Sequence, residues 1–192
     1  TDPDKFIHIV KSLEPTFGGV NLEDIKAPEC FKIEQELRYK MNIPIMHDDQ
    51  HGTAIISCAA LLNAIELVDK KMSELKIVVN GAGAAAVSCT RLYIALGAKK
   101  ENIIMCDSKG VLNRKRTNLD AINSEFVSDV GIDTLQDAMK GADVFVGLSV
   151  ADAITPEALK NMAENPIVFA LANPNPEIDY NLSRATRKDA IL

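Results

Sequence analysis

The chain has 192 residues, 47% of them apolar and 25% charged, the composition of an ordinary globular domain long enough to bury one sizeable core. Its 27 acidic against 21 basic side chains leave a formal charge of −6, which argues against a surface built to neutralise nucleic-acid phosphates or anionic lipid and leaves small molecules and other protein chains as partners. The longest apolar stretches, such as Ala54 to Ala60, are too short to span a bilayer, and no basic region followed by an apolar run opens the chain, so a cytoplasmic protein is expected.

Pro3 follows a good N-cap, Asp2, and Phe6, Ile9, Val10 and Leu13 recur at helical spacing, which predicts a helix from Pro3 to Leu13 ended by Pro15. Phe17 to Leu22 reads as a short extended run leading into Glu23-Asp24. Pro28 to Met41 returns to helical periodicity, and Pro44-Ile45-Met46 is a second short strand that delivers His47-Asp48-Asp49. From Thr53 to Val68 the spacing of Ile55, Ile56, Ala59, Leu62, Ile65 and Leu67 predicts a long, mostly buried helix.

Lys76 to Asn80 is then a buried-strand run, Gly81 to Ala86 a glycine turn, Val87 to Leu96 a helix and Ile103 to Asp107 a second strand, which together make a β-α-β unit with a crossover helix. Asp143 to Leu148 and Ile167 to Leu171 read as two further strands, separated by a helix from Thr155 to Met162. The fold class expected is α/β: a Rossmann-like, doubly wound, mostly parallel sheet. Residues 1–52 form a helical and short-strand segment packed on the sheet edge, and 53–192 the dinucleotide-binding domain. Thr1-Asp2-Pro3 lies within a helix cap and Ile191-Leu192 on an apolar run, so both ends are expected to be cuts in a longer protein. Cys30, Cys58, Cys89 and Cys106 are scattered singly inside apolar periodic segments and read as reduced core thiols.

Gly81-x-Gly83-x-x-Ala86 sits between a strand and a helix, the context that lifts a weak pattern. Gly81 permits the tight turn, Gly83 lets a pyrophosphate approach the backbone, and Ala86 is small enough for the helix to pack on the strand. Asp107 closes the second strand, where a carboxylate accepts hydrogen bonds from a ribose and favours NAD over a 2′-phosphate. Lys109 and Arg114-Lys115-Arg116 lie just beyond it, either compensating that repulsion for NADP or forming a solvated loop.

Glu23, Asp24 and Asp49, with Asp48 beside it, cluster at the ends of two short extended segments. Such oxygen donors suit Mg²⁺ or Mn²⁺, although adjacent acids near a helix start are also ordinary dipole-favoured surface residues. His47-Asp48-Asp49-Gln50-His51 imitates the H-E-x-x-H zinc helix, but a strand runs in and Gly52 follows, so the segment is a turn and helix start. Ala172-Asn173-Pro174-Asn175-Pro176 follows the last strand, either as a proline-punctuated turn or as a ligand-binding edge.

Four segments resemble the malic enzyme family, in that family's order and over nearly the whole chain. They are Phe17 to Ile25, His47 to Ala54, Asn80 to Ala86 and Phe169 to Pro174, and their pattern is most similar to the shorter bacterial form. By that resemblance Glu23, Asp24 and Asp49 are expected to hold the metal. Gly81, Ala82, Gly83, Ala84 and Ala85 would form the cofactor phosphate loop, and Asn173 would lie near nicotinamide or substrate. The implied reaction oxidises malate with NAD or NADP and releases CO₂ and pyruvate, on Mg²⁺ or Mn²⁺ acting as a Lewis acid. A malolactic or oxaloacetate-decarboxylating relative, or a catalytically silent nucleotide-binding module, is the alternative. The family assembles as dimers and larger forms, so a homo-oligomer is expected. Its general acid Tyr and base Lys come from sequence preceding these segments; Tyr39, Tyr93 and Tyr180 do not match the Tyr motif, so no acid or base is assigned and the fragment alone is expected to be inactive.

Overall fold

The computed structural model describes residues 2–117 and 119–192; Thr1 of the expected helix cap and Asn118 lie outside the described residues. Helix α1 (Pro3–Ser12) starts where the Asp2 carboxylate accepts the Asp4 backbone N–H at 2.9 Å. It buries Ile7 and Val10 against Ile33 and Leu37 of α2 (Glu29–Lys40), while Ile9 and Leu13, expected on the inner face, are exposed. Strands β1 (Val20–Leu22) and β2 (Ile45–His47) pair in parallel with Leu22 opposite His47. Leu22, Met41 and Ile45 complete this small core.

Helix α3 (Asp48–Leu67) begins directly after β2 rather than at Thr53. His47 is its extended N-cap, and Asp48 and Asp49 occupy the first turn, where carboxylates are favoured by the helix dipole. The expected boundary at residue 52 thus falls inside this helix. Its inward face also differs from the expectation: Ala54, Ser57, Cys58, Leu61 and Ala64 are buried, whereas Ile55, Ile56, Leu62 and Leu67 are exposed, Ile56 at 67% and Leu67 at 78%. The reason is the partner. Helix α4 (Ala84–Ala95) runs against α3, and small side chains at the contact allow two helices to approach closely. The buried polar atoms there satisfy one another: the Tyr93 hydroxyl donates to Ser57 Oγ at 3.1 Å, and Ser57 Oγ lies 3.3 Å from Cys89 Sγ.

The main sheet is built from β3 (Ile77–Asn80), β4 (Ile103–Asp107), β5 (Gly110–Val111), β6 (Val144–Gly147) and β7 (Ile167–Ala170), in the order β5-β4-β3-β6-β7. All neighbours are parallel except β5, a two-residue antiparallel edge after a reversal at Gly110, φ +105°. Ile77, Val79, Met105 and Val146 face α3 and α4. Val78, Ile104, Phe145 and Val168 face α5 (Leu135–Met139) and α6 (Pro156–Lys160) on the other side. Burial on both faces is why these strands are continuous apolar runs. α7 (Tyr180–Thr186) closes the chain. β5, α5 and α7 were absent from the sequence expectation because each is too short to show a period.

The four cysteines are buried and form no disulfide. Burial pushes the Cys30 thiol up to about 11 and those of Cys58 and Cys106 to about 12. Among the described residues no helix is long and apolar enough to cross a membrane.

Candidate active site

The chain runs from β3 outward to β4 and returns on the other side of β3 as β6, so the strand order reverses between β3 and β6. Open parallel sheets bind ligands outside the carboxyl ends of strands at such a point. A cleft of about 590 Å³ lies there, lined by Asn80, Gly81 and Ala82 after β3, Asp107 and Lys109 after β4, and Leu148, Ser149 and Val150 after β6.

The two loop glycines serve different ends. Gly81 has φ +140°, and a Cβ there would sit 2.6 Å from the Leu148 carbonyl oxygen, so the turn itself requires glycine. Gly83 has ordinary extended backbone, φ −87°, and a Cβ there would meet nothing within 4 Å. No neighbour in the chain requires glycine there, and the space in front of it is open. Gly83 is the N-cap of α4 and offers no side-chain hydrogen bond to it, which leaves the first N–H groups of a twelve-residue helix available to an anion. Ala82 and Gly83 also border a smaller hollow of about 240 Å³ with Pro28 and Asn123. Ala84 and Ala85 form the first turn of α4, outside the lining of both spaces, and Ala86 is buried against the sheet.

Asp107 lines the large cleft, but its carboxylate is engaged. Arg116 donates to Oδ1 at 3.0 Å and to Oδ2 at 2.7 Å, and the Lys109 backbone N–H donates to Oδ1 at 2.8 Å. Burial pushes this carboxyl up, and the Arg116 hydrogen bonds, the Lys109 N–H and the two cationic charges outweigh it, so it ends below the usual range. The other two cations of the basic run turn elsewhere: Arg114 pairs with Asp129 and Lys115 with Asp133 at 3.0 Å.

Parallel pairing of β1 with β2 brings Glu23 and Asp24 beside Asp48 and Asp49 at one edge. Asp24 takes a left-handed conformation, φ 57°, and its backbone N–H donates to Asp49 Oδ2 at 3.0 Å. His47, fully buried, has neither ring nitrogen hydrogen-bonded among the described residues, and its Nε2 stands 3.8 Å from the same Asp49 oxygen. His51 is engaged separately, 2.6 Å from Glu34, which also accepts from Gln50. The carboxylate oxygens are donors of the kind a hard divalent ion takes, but among the described residues no three ligating side chains converge on one point.

Sequence reasoning missed Asn80, Ser149 and Glu177. Asn80 Nδ2 donates to Ser149 Oγ at 2.6 Å, and Glu177, fully buried, accepts the backbone N–H of Ser149 at 3.0 Å and of Ala172 at 3.1 Å. The available signal was Gly147 ending an apolar strand, since glycine in a strand marks a close approach: a Cβ there would overlap the Glu177 carboxylate. Asn173 is exposed at the end of β7, two strands from β3, and does not line the large cleft.

Residues 50–190 match the family model described as malic enzyme, NAD binding domain, and residues 1–38 the one described as malic enzyme, N-terminal domain. The chain is 55% identical to the NADP-dependent malic enzymes of Haemophilus influenzae and of Escherichia coli, with all of it aligned. It spans only 26% and 25% of their lengths. It also superposes on the crystal structure of an NAD-dependent malic enzyme from Thermotoga maritima with a TM-score of 0.90 and 46% identity, over 96% of this chain and 50% of that one.

Proposed function

Since this chain belongs to the malic enzyme family, we propose that it is the dinucleotide- and metal-binding part of an enzyme that oxidises malate with NAD(P)⁺ and releases pyruvate and CO₂. The observation that carries the reading is the turn between β3 and α4: Ala82 lines the cleft at the strand-order reversal, and Gly83 after it is a helix N-terminus without a side-chain cap, with space that no residue of the chain claims. There the α4 amides bind the pyrophosphate and the cleft walls hold the adenosine half.

The Arg116 grip on Asp107 supports NADP as the preferred cofactor, because it neutralises the carboxylate that would repel a 2′-phosphate while Lys109 lines the same cleft. Glu23, Asp24 and Asp49 would hold Mg²⁺ or Mn²⁺. The ion, when bound, supplies Lewis-acid polarisation of the substrate oxygens. The Asp24 amide orients Asp49 for that task. Tyr93 is sealed in the core and neither Tyr39 nor Tyr180 lines the cleft, and the family resemblance assigns the proton donor and acceptor to parts of the enzyme outside this chain.

The test is malate turnover by the full-length protein with Mn²⁺ and either dinucleotide. Pyruvate formed together with reduced cofactor is expected, with the larger kcat/KM for NADP. Lactate without net reduction would assign the malolactic reaction, and the absence of any turnover or malate binding would leave a nucleotide-binding module.

A further inference from the structure

A carboxylate withdrawn from water is tolerated only when its oxygens are satisfied, and an apolar side chain of the same volume usually serves packing better. Glu177 is withdrawn completely, and both oxygens are satisfied by backbone amides from two different loops, Ser149 after β6 and Ala172 after β7. The main chain continues the junction: Asp152 donates to the Pro176 carbonyl and Ile154 to the Glu177 carbonyl, both at 3.2 Å. Through Ser149 Oγ the belt reaches Asn80 at the end of β3. Gly147 makes room for it, because any side chain there would displace the carboxylate.

We propose that Glu177 is a positioning residue for the dinucleotide. Ser149 and Val150 form a wall of the cleft, and Ala172 immediately precedes Asn173. By holding one amide from each loop, Glu177 fixes the Ser149 and Val150 wall of the cleft against the loop after β7. What an apolar side chain could not do is hold two N–H groups at a set distance. The inference rests on the reading of this cleft as the dinucleotide site.

The experiment uses the full-length enzyme and follows binding of NADPH by fluorescence, without malate or metal. Glu177→Gln preserves shape but turns an amide donor onto one of the two N–H groups, and is expected to weaken NADPH binding about tenfold. Mn²⁺ affinity should change little, and the melting temperature should fall by no more than a few degrees. Gly147→Ala should reproduce the effect by displacing the carboxylate, and the Gly147→Ala/Glu177→Ala double variant should bind NADPH no worse than Glu177→Ala alone, because the two changes act through one group. A wild-type enzyme that bound no dinucleotide would remove the underlying reading instead. Wild-type binding with equal binding by both single variants would overturn the inference. So would variants that fail to fold, or that lose NADPH affinity, Mn²⁺ affinity and thermal stability together, since these would show a purely structural carboxylate.

Discussion

Replacing Gly83 by serine in the full-length enzyme should weaken dinucleotide binding without destabilising the fold, whereas the same replacement at Gly81 should destabilise it. At Gly83 the backbone is one any residue adopts, a Cβ meets nothing within 4 Å, and the position caps α4. Serine is a better N-cap than glycine by roughly a few tenths of a kcal/mol, so the free protein should melt at the same temperature or slightly higher. The new side chain occupies the space through which a pyrophosphate reaches the helix amides. Losing one charge-assisted hydrogen bond removes about 1.5–3 kcal/mol, which is roughly a 10- to 100-fold loss of affinity. At Gly81 the residue must hold φ +140° with its Cβ 2.6 Å from the Leu148 carbonyl oxygen. Backbone strain of that kind costs about 1–3 kcal/mol before the overlap is counted. A domain of this size loses about 2–4 °C in melting temperature per kcal/mol. Calorimetry of the unliganded proteins and fluorescence titration with NADPH separate the two effects. If the Gly83→Ser enzyme bound NADPH like wild type, the phosphates would lie elsewhere and the argument from empty space would fail.

Asp49→Asn should weaken Mn²⁺ binding and lower turnover by orders of magnitude, since it removes one anionic donor from a small set; unchanged activity across a Mn²⁺ titration would take Asp49 out of the coordination shell. Arg116→Ala should lower kcat/KM for NADP about tenfold while changing the value for NAD less, because Asp107 is then left without its counter-charge; an equal fall with both cofactors would show that the pair acts only on the fold. The thiols should resist alkylation in the native protein at about pH 9, where an ordinary cysteine is largely thiolate, and all four should react after unfolding. Burial raises these groups, so the protonated, unreactive form persists to higher pH, and rapid native labelling of Cys58 or Cys106 would contradict the packing described.

The parallel strands were legible because burial on both faces writes them as unbroken apolar runs, and the glycine turn because a strand before it and a helix after it frame the G-x-G pattern, with Gly81 required by its backbone geometry. α3 was legible as a helix but not in its orientation. Periodicity marks the large aliphatics Ile55, Ile56, Leu62 and Leu67, and the inner face was instead the small one, which only the approach of α4 could select. Likewise, Arg116 could be read as solvated or as cofactor-directed, and its ion pair with Asp107 closes a nine-residue loop that no period encodes. Glu177 was invisible for a related reason. A buried acid is identified by the amides that satisfy it, and those belong to residues 28 and 5 positions away in the chain.

The helix whose face was misjudged is also the element that joins the two halves of the site. Its first turn carries Asp48 and Asp49, fastened through the Asp24 amide to the end of β1. Its body lies along α4, whose N-terminus follows the glycine turn proposed to bind phosphate. A helix of 20 residues is about 30 Å of rigid rod, and it cannot slide on its neighbour where Ala54, Ser57, Cys58 and Leu61 fit closely against it. The Ser57, Cys89 and Tyr93 contacts add direction to that fit, since sliding or rotating α3 would leave buried polar atoms unsatisfied. The distance between the carboxylate edge and the glycine turn is therefore set by side chains that belong to neither proposed site. The hydride transfer proposed above would need reacting atoms held about 3–3.5 Å apart. Small residues on the inner face of α3 meet that demand better than the large aliphatics could, because a close-packed contact has one register.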